Sequence, residues 1–184
     1  MPLVKKSPND DADGFTIRAA RDDESHALTE IENEAGAMFD GLGLIDEARD
    51  RSFPGKRMAD LVARSQVWVG CKIESGPPVG MIAVSVLEST AYIEEMDVLP
   101  AFGCRGLGTR LLHHACDWAK QRRCERIVLS TFSSVSWNGP FYRKNGFQDL
   151  ARDEWTDWMR AIREDEGRRG LCVEERVFME LRLR

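Results

Sequence analysis

The sequence predicts an α/β domain with a mixed central sheet of six to seven strands, a largely antiparallel N-terminal meander and about four flanking helices. Three observations predict it. Three strand-like apolar runs lie between Gln66 and Val98, separated only by short turns, as antiparallel neighbours are. A glycine-rich turn then opens a long helical period, and the β-branched run Ile127 to Phe132 follows it as a strand–helix–strand unit. Finally, Arg176 to Leu183 alternates apolar and polar side chains, the period of a closing strand. A chain of 184 residues suits one such domain, assigned to residues 15–184.

Each element follows in order. Met1 to Gly14 is polar, with no apolar core of a signal peptide, and reads as a disordered leader. Phe15 to Ala19 is a short strand. A helix follows, with Asp22 or Asp23 near its N-cap and Leu28, Ile31, Ala35 and Met38 on one face. Its Glu30, Glu32 and Glu34 form the solvated face, where one could border a cleft. Gly41 to Gly55, interrupted by glycines and Pro54, is a loop or broken helix of a length that often serves function. Lys56 to Arg64 is helical, Gln66 to Ile73 a strand, and Gly76-Pro77-Pro78 a turn. Val79 to Leu87 and Ala91 to Val98 complete the meander. The long helix runs from Gly106 to Arg122 and buries Leu107, Leu111, Leu112, Ala115 and Ala119. A short helix spans Pro140 to Asn145, and another Trp155 to Glu166.

Composition narrows the function. Hydrophobic residues make up 42% and charged residues 31%, the balance of a folded soluble chain. A net charge of -5 argues against non-specific nucleic-acid binding, which needs a basic face. No apolar run approaches the ~20 residues of a membrane span. The cysteines Cys71, Cys104, Cys116, Cys124 and Cys172 are scattered and show no metal-ligand spacing, so no metal is expected. Reduced thiols imply a cytoplasmic location.

The sharpest local signal is Arg105-Gly106-Leu107-Gly108-Thr109, after a strand and opening a helix. Such a turn lets backbone approach a ligand, and the helix N-terminus offers unpaired N–H groups and partial positive charge to a pyrophosphate. Arg105 and Arg110 add charge. A P-loop would need a Gly-Lys pair followed by Ser or Thr, and a dinucleotide fingerprint a third glycine and a later acid. Both are absent.

Together, Tyr92 to Pro100 followed by Gly103 to Gly108 resembles the core motif of the GNAT N-acetyltransferases, a strand ending in valine, a proline turn and Gln/Arg-x-x-Gly-x-Gly/Ala. Pro140 to Phe147 resembles that family's second signature, Phe-Tyr-x-x-x-Gly-Phe. The order of elements from Phe15 to Arg184 fits as well. Two positions depart: Gly103 stands where Gln or Arg is usual, and Asn138 precedes Tyr142 by fewer residues than the asparagine of many relatives. The wording around Trp137 resembles a bacterial subgroup of small GNAT proteins.

The resemblance implies acetyl transfer from acetyl-CoA to a primary amine by direct attack, with splayed central strands around the cofactor. Met96 and Val98 would pair with the pantetheine arm, and the Met96 or Asp97 N–H would face the acetyl carbonyl. Cys104, Arg105, Gly106, Leu107, Gly108, Thr109 and Arg110 would hold the pyrophosphate, with Asn138 and Arg143 as further cofactor contacts. Tyr142 would give a proton to the leaving thiolate. Glu94 or Glu95 would take one from the amine. The strand resembles that of the spermidine/spermine acetyltransferases, which makes Glu94 the first candidate. Strand alternation places the two on opposite faces unless a bulge intervenes. The acceptor is expected to be a small-molecule amine. Acetylation of protein N-termini or lysines, and a silent acyl-CoA-binding module, are the competing readings. The resemblance also admits a homodimer.

Overall fold

The computed structural model describes residues 14–46 and 54–183. The expected leader, apart from Gly14, and the middle of the expected loop therefore lie outside the described residues. One seven-stranded sheet organises the rest, in the order β1-β2-β3-β4-β5-β7-β6. Its strands are β1 (Thr16–Ala19), β2 (Val67–Cys71), β3 (Pro78–Leu87), β4 (Thr90–Val98), β5 (Arg126–Phe132), β6 (Gln148–Asp149) and β7 (Arg176–Arg182). The first four pair antiparallel, β4 and β5 pair parallel, and β7 runs antiparallel to both β5 and β6.

Among the described residues, five α-helices cover the sheet: α1 (Ser25–Gly36), α2 (Gly55–Ala63), α3 (Leu107–Gln121), α4 (Gly139–Lys144) and α5 (Asp157–Arg168). On one face, α3 buries Leu107, Leu111, Leu112, Ala115 and Ala119 against Ile82, Val84 and Ile93. That stripe has the helical spacing read from the sequence. Leu28 and Ile31 of α1 and Leu61 of α2 pack on the other face against Val69, Met81 and Ala83. Further along that face, Met159 of α5 meets Tyr92, Val128 and Phe178. Among the described residues, no helix is long and apolar enough to cross a membrane.

Three local expectations change. Met38 lies in a 3-10 turn after α1 and is 38% exposed, because the helix tightens at Ala37 and carries it off the apolar stripe. Ile73 is outside β2, in the turn that Gly76 closes by donating to the Ile73 carbonyl, and is exposed. The two-residue β6 is added at the sheet edge, too short to leave an alternation in the sequence.

The β4–β5 ladder is the feature that shapes the site. It joins only Thr90, Ala91 and Tyr92 to Arg126, Ile127 and Val128. Beyond Tyr92, β4 stays with β3 while β5 stays with β7, so the two central strands part as expected.

Candidate functional site

A cavity of about 350 Å³ lies where β4 and β5 diverge. Its walls come from Tyr92–Asp97 of β4 and Leu129–Phe132 of β5, with α1, α2, α4 and α5 closing the sides. Two short backbone links complete one side: Cys172 N–H donates to the Leu44 carbonyl and Asp46 N–H to the Gly170 carbonyl, each at 2.8 Å. This puts the described part of the expected functional loop, through Ile45, against the cavity.

A bulge sets the chemistry of β4. Ala83 and Val84 are consecutive on β3, yet they face Glu95 and Ile93 on β4. Glu94 is the extra residue, so the alternation that would separate Glu94 from Glu95 is broken and both line the cavity. Arg57 of α2 donates from Nη2 to Glu94 Oε1. Glu95 is instead enclosed, and burial first, then the nearby Glu32 carboxylate, push its carboxyl up to about 7. Arg169, Arg176 and the Met96 N–H act in the opposite direction. Asp97, two residues on, is driven well above the carboxylate range by burial and by Glu95 and Glu32. Its Oδ2 is buried with no hydrogen-bond partner among the described residues.

Tyr142 reaches the same cavity from α4 and is only 6% exposed. Its ring packs edge-on against Phe141 and Phe147, with centroids 5.1 and 5.7 Å away. Burial and the Asp97 and Glu95 charges raise its phenol pKa, so it keeps its proton through neutral pH. Asn138, the residue before α4, also lines the cavity, and its carbonyl accepts the Tyr142 N–H at 3.1 Å.

The glycine turn has the form a pyrophosphate needs. Gly106 sits at φ +81°, a conformation that glycine adopts without strain, and is the N-cap of α3. Arg110 N–H donates to the Gly106 carbonyl at 3.1 Å, so the N–H groups of Leu107, Gly108 and Thr109 precede the helical ladder. The Leu107 side chain is core, 1% exposed, so only its backbone is available to a ligand. It fits because Gly70 on β2 lacks a Cβ, which would fall 2.4 Å from Leu107 Cδ1. Arg105 lies over the Phe102 ring at 5.7 Å, and Cys104 is an exposed thiol at φ +56°. With the parted strands, these N–H groups fit acetyl-CoA. Arg143, expected as a cofactor contact, follows Tyr142 on α4. Its guanidinium is fastened to Asp149 at 2.7 and 3.0 Å and to Ser133 at 3.0 and 3.1 Å, a brace between α4, β6 and the end of β5.

Of Glu30, Glu32 and Glu34, any one of which could border a cleft, Glu32 lines the cavity; it lies four residues after Leu28, at the border of the α1 apolar stripe. Other cavity residues were not singled out by sequence. Arg57 had no readable signal. Glu166, 5% exposed, accepts from Arg176 at 2.9 Å and lies 3.3 Å from Arg163 Nε. This buried ionic knot ties α5 to β7 and forms the far wall. Among the described residues, no group of three or more His, Cys, Asp or Glu is arranged to hold a metal ion.

Comparison with known proteins bears on this arrangement. The family of acetyltransferases described as GNAT matches residues 26–147. The uncharacterised N-acetyltransferase MJ1207 of Methanocaldococcus jannaschii is 31% identical over 102 residues, covering 50% of this chain and 43% of that protein. The matched part thus spans under half the length of that relative. Among solved structures, the PaiA N-acetyltransferase of Thermoplasma acidophilum in complex with coenzyme A superposes with a TM-score of 0.70. The identity is 17%, over 91% of this chain and 98% of that one. The N-acetylglutamate synthase of Neisseria gonorrhoeae, complexed with coenzyme A and N-acetyl-glutamate, gives a TM-score of 0.67 at 20% identity, over 92% of this chain and 35% of that one. At these identities the two structures share the fold with this chain.

Proposed function

Since the chain belongs to the GNAT acetyltransferase family, we propose that it transfers an acetyl group from acetyl-CoA to a primary amine of a small, positively charged molecule. The observation that carries this reading is the cavity's charge. It is lined by Glu32, Glu94, Glu95, Asp97, Asp165 and Glu166 against Arg57, Arg169 and Arg176. Even with Asp97 held protonated, the acidic groups outnumber the arginines, and such an excess of negative charge in a cavity attracts and holds ammonium groups. A volume of about 350 Å³ also matches a small ligand better than a flat peptide-binding surface.

The residues divide the work as follows. The N–H groups of Leu107, Gly108 and Thr109 would hold the pyrophosphate, with Arg105 and Arg110 adding charge. Met96 and Val98 border the parted strands and would position the pantetheine arm through main-chain groups. Bound acetyl-CoA supplies an activated thioester. An amine arrives as an ammonium ion and must lose a proton before it can attack. Glu95, with a carboxyl near 7, is a carboxylate above that pH and can accept the proton. Tyr142 stays protonated and can donate to the leaving sulfur. Holding donor and acceptor in one cavity supplies much of the remaining rate.

Calorimetry with acetyl-CoA, joined to a thiol-release assay over small amines and N-terminal peptides, tests the reading. The expected result is acetyl-CoA binding and turnover of cationic small amines, fastest above pH 7. Turnover confined to peptides would reject the small-molecule acceptor. Binding without turnover of either class would reject the enzyme in favour of a silent acyl-CoA-binding module.

A further inference from the structure

We propose that Arg57 is a positioning residue that occupies Glu94, so that of the two adjacent glutamates on the β4 bulge only Glu95 is left to take the amine's proton. The inference rests on the acetyl-transfer reading above and adds a residue that no sequence motif marks. Two geometric facts carry it. The bulge turns both glutamates into one cavity, where a regular strand would have shown it only one. Arg57, from the first turn of α2, crosses to Glu94 Oε1 and also lines that cavity.

Two ionised carboxylates side by side would repel each other and compete for the substrate ammonium. A guanidinium on one of them resolves this conflict. It satisfies Glu94 with a charge-assisted hydrogen bond and makes the pair nearly neutral toward its surroundings. Burial and Glu32 on α1 raise the Glu95 carboxyl, while Arg169 after α5, Arg176 on β7 and the Met96 N–H lower it. The other charged or titratable groups around it are Asp97 on β4, Tyr142 on α4, and Asp165 and Glu166 on α5. Breaking the Arg57–Glu94 pair from either side would expose one uncompensated charge to Glu95.

The two single changes have opposite signs. Arg57→Gln leaves a bare Glu94 carboxylate, which disfavours a second negative charge and raises the Glu95 pKa. Glu94→Gln leaves a bare guanidinium, which lowers it. At cavity distances and intermediate dielectric each shift should be about half a pH unit or more. The double variant carries neither charge and should return close to the wild-type value, as a double-mutant cycle requires of a coupled pair. Arg57→Lys should keep most of the wild-type behaviour.

The experiment titrates the Glu95 side-chain carboxyl by carbon-13 NMR in the wild type and all four variants, with the pH dependence of kcat/KM measured beside it. The NMR readout needs no turnover, so it stands even where the acetyl-transfer reading fails. Opposite shifts in the singles, near-restoration in the double and retention in Arg57→Lys support the proposal. Shifts of the same sign, or none, overturn it, because a merely structural Arg57 would alter stability without ordering the titrations this way. Should Arg57→Gln not fold, Glu94→Gln alone decides: an unshifted or raised Glu95 pKa overturns the proposal.

Discussion

At the scale of single residues, Tyr142 and Glu95 differ in what their burial does. Burial keeps the Tyr142 proton in place, and two aromatic neighbours hold the ring independently of its hydroxyl. Tyr142→Phe should therefore fold normally and bind acetyl-CoA as before, while turnover drops roughly ten- to a thousandfold, the range of general acid catalysis. Turnover within twofold of wild type would show that Tyr142 only packs. Burial of Glu95 instead has a cost in stability. Its carboxyl titrates at about 7 in the folded chain and near the ordinary glutamate value of 4.5 when unfolded. Between those values the folded state binds more protons, so stability falls as pH rises, by on the order of 3 kcal/mol once the group is ionised. Thermal melts should find Glu95→Gln more stable than wild type at pH 8 and indistinguishable at pH 4. A variant less stable at pH 8 would contradict the raised pKa. The sequence marked both glutamates but not their shared face. The bulge arises from the register between β3 and β4, and no glycine or proline within the Ile93–Glu95 stretch announces it.

At the scale of elements, α3 was the most legible part of the chain. Its apolar stripe, its glycine start and the preceding proline each have a local cause, so its bounds agree with the reading to within a residue. What the motif could not separate is backbone from side chain. Leu107 belongs to the glycine turn through its N–H and to the core through its isobutyl group, and only the fold distinguishes the two. Gly108 presents the opposite case. A Cβ there would meet Phe141 Cζ at 3.6 Å and Val98 Cγ2 at 4.0 Å, ordinary contacts that the fold accepts. Gly108→Asp should therefore keep the wild-type circular dichroism spectrum and lose acetyl-CoA binding in calorimetry, because a carboxylate at the helix start repels phosphate. Unchanged affinity would remove this turn from the cofactor site. The partner of Arg143 was not legible: Asp149 sits on β6, a pairing of two residues that sequence periodicity does not register.

At the scale of the whole molecule, the sheet consists of two parts that meet along a very short seam. One is the β1–β4 meander with α1, α2 and α3. The other is β5, β7 and β6, with α5 bound to β7 through the Glu166–Arg176 pair. Their parallel ladder spans three residues on each strand. The general α/β plan was readable because strand and helix periods are local, whereas the length of this ladder depends on how two distant strands diverge. A seam this short has a consequence for protein motion. Amide hydrogens in the paired centre of β3 should exchange with solvent deuterium only on global opening, whereas those at the parted ends of β4 and β5 should exchange through smaller, more frequent openings. A ligand lying across the divergence adds its binding free energy to the closed form, so protection there should grow with acetyl-CoA concentration while the β3 amides change only as global stability does. Equal gains throughout the sheet would show that the two parts open as one. A selective gain would make the cofactor a crosslink added to the core that the halves already share, with their mechanical coupling set by how much acetyl-CoA surrounds the molecule.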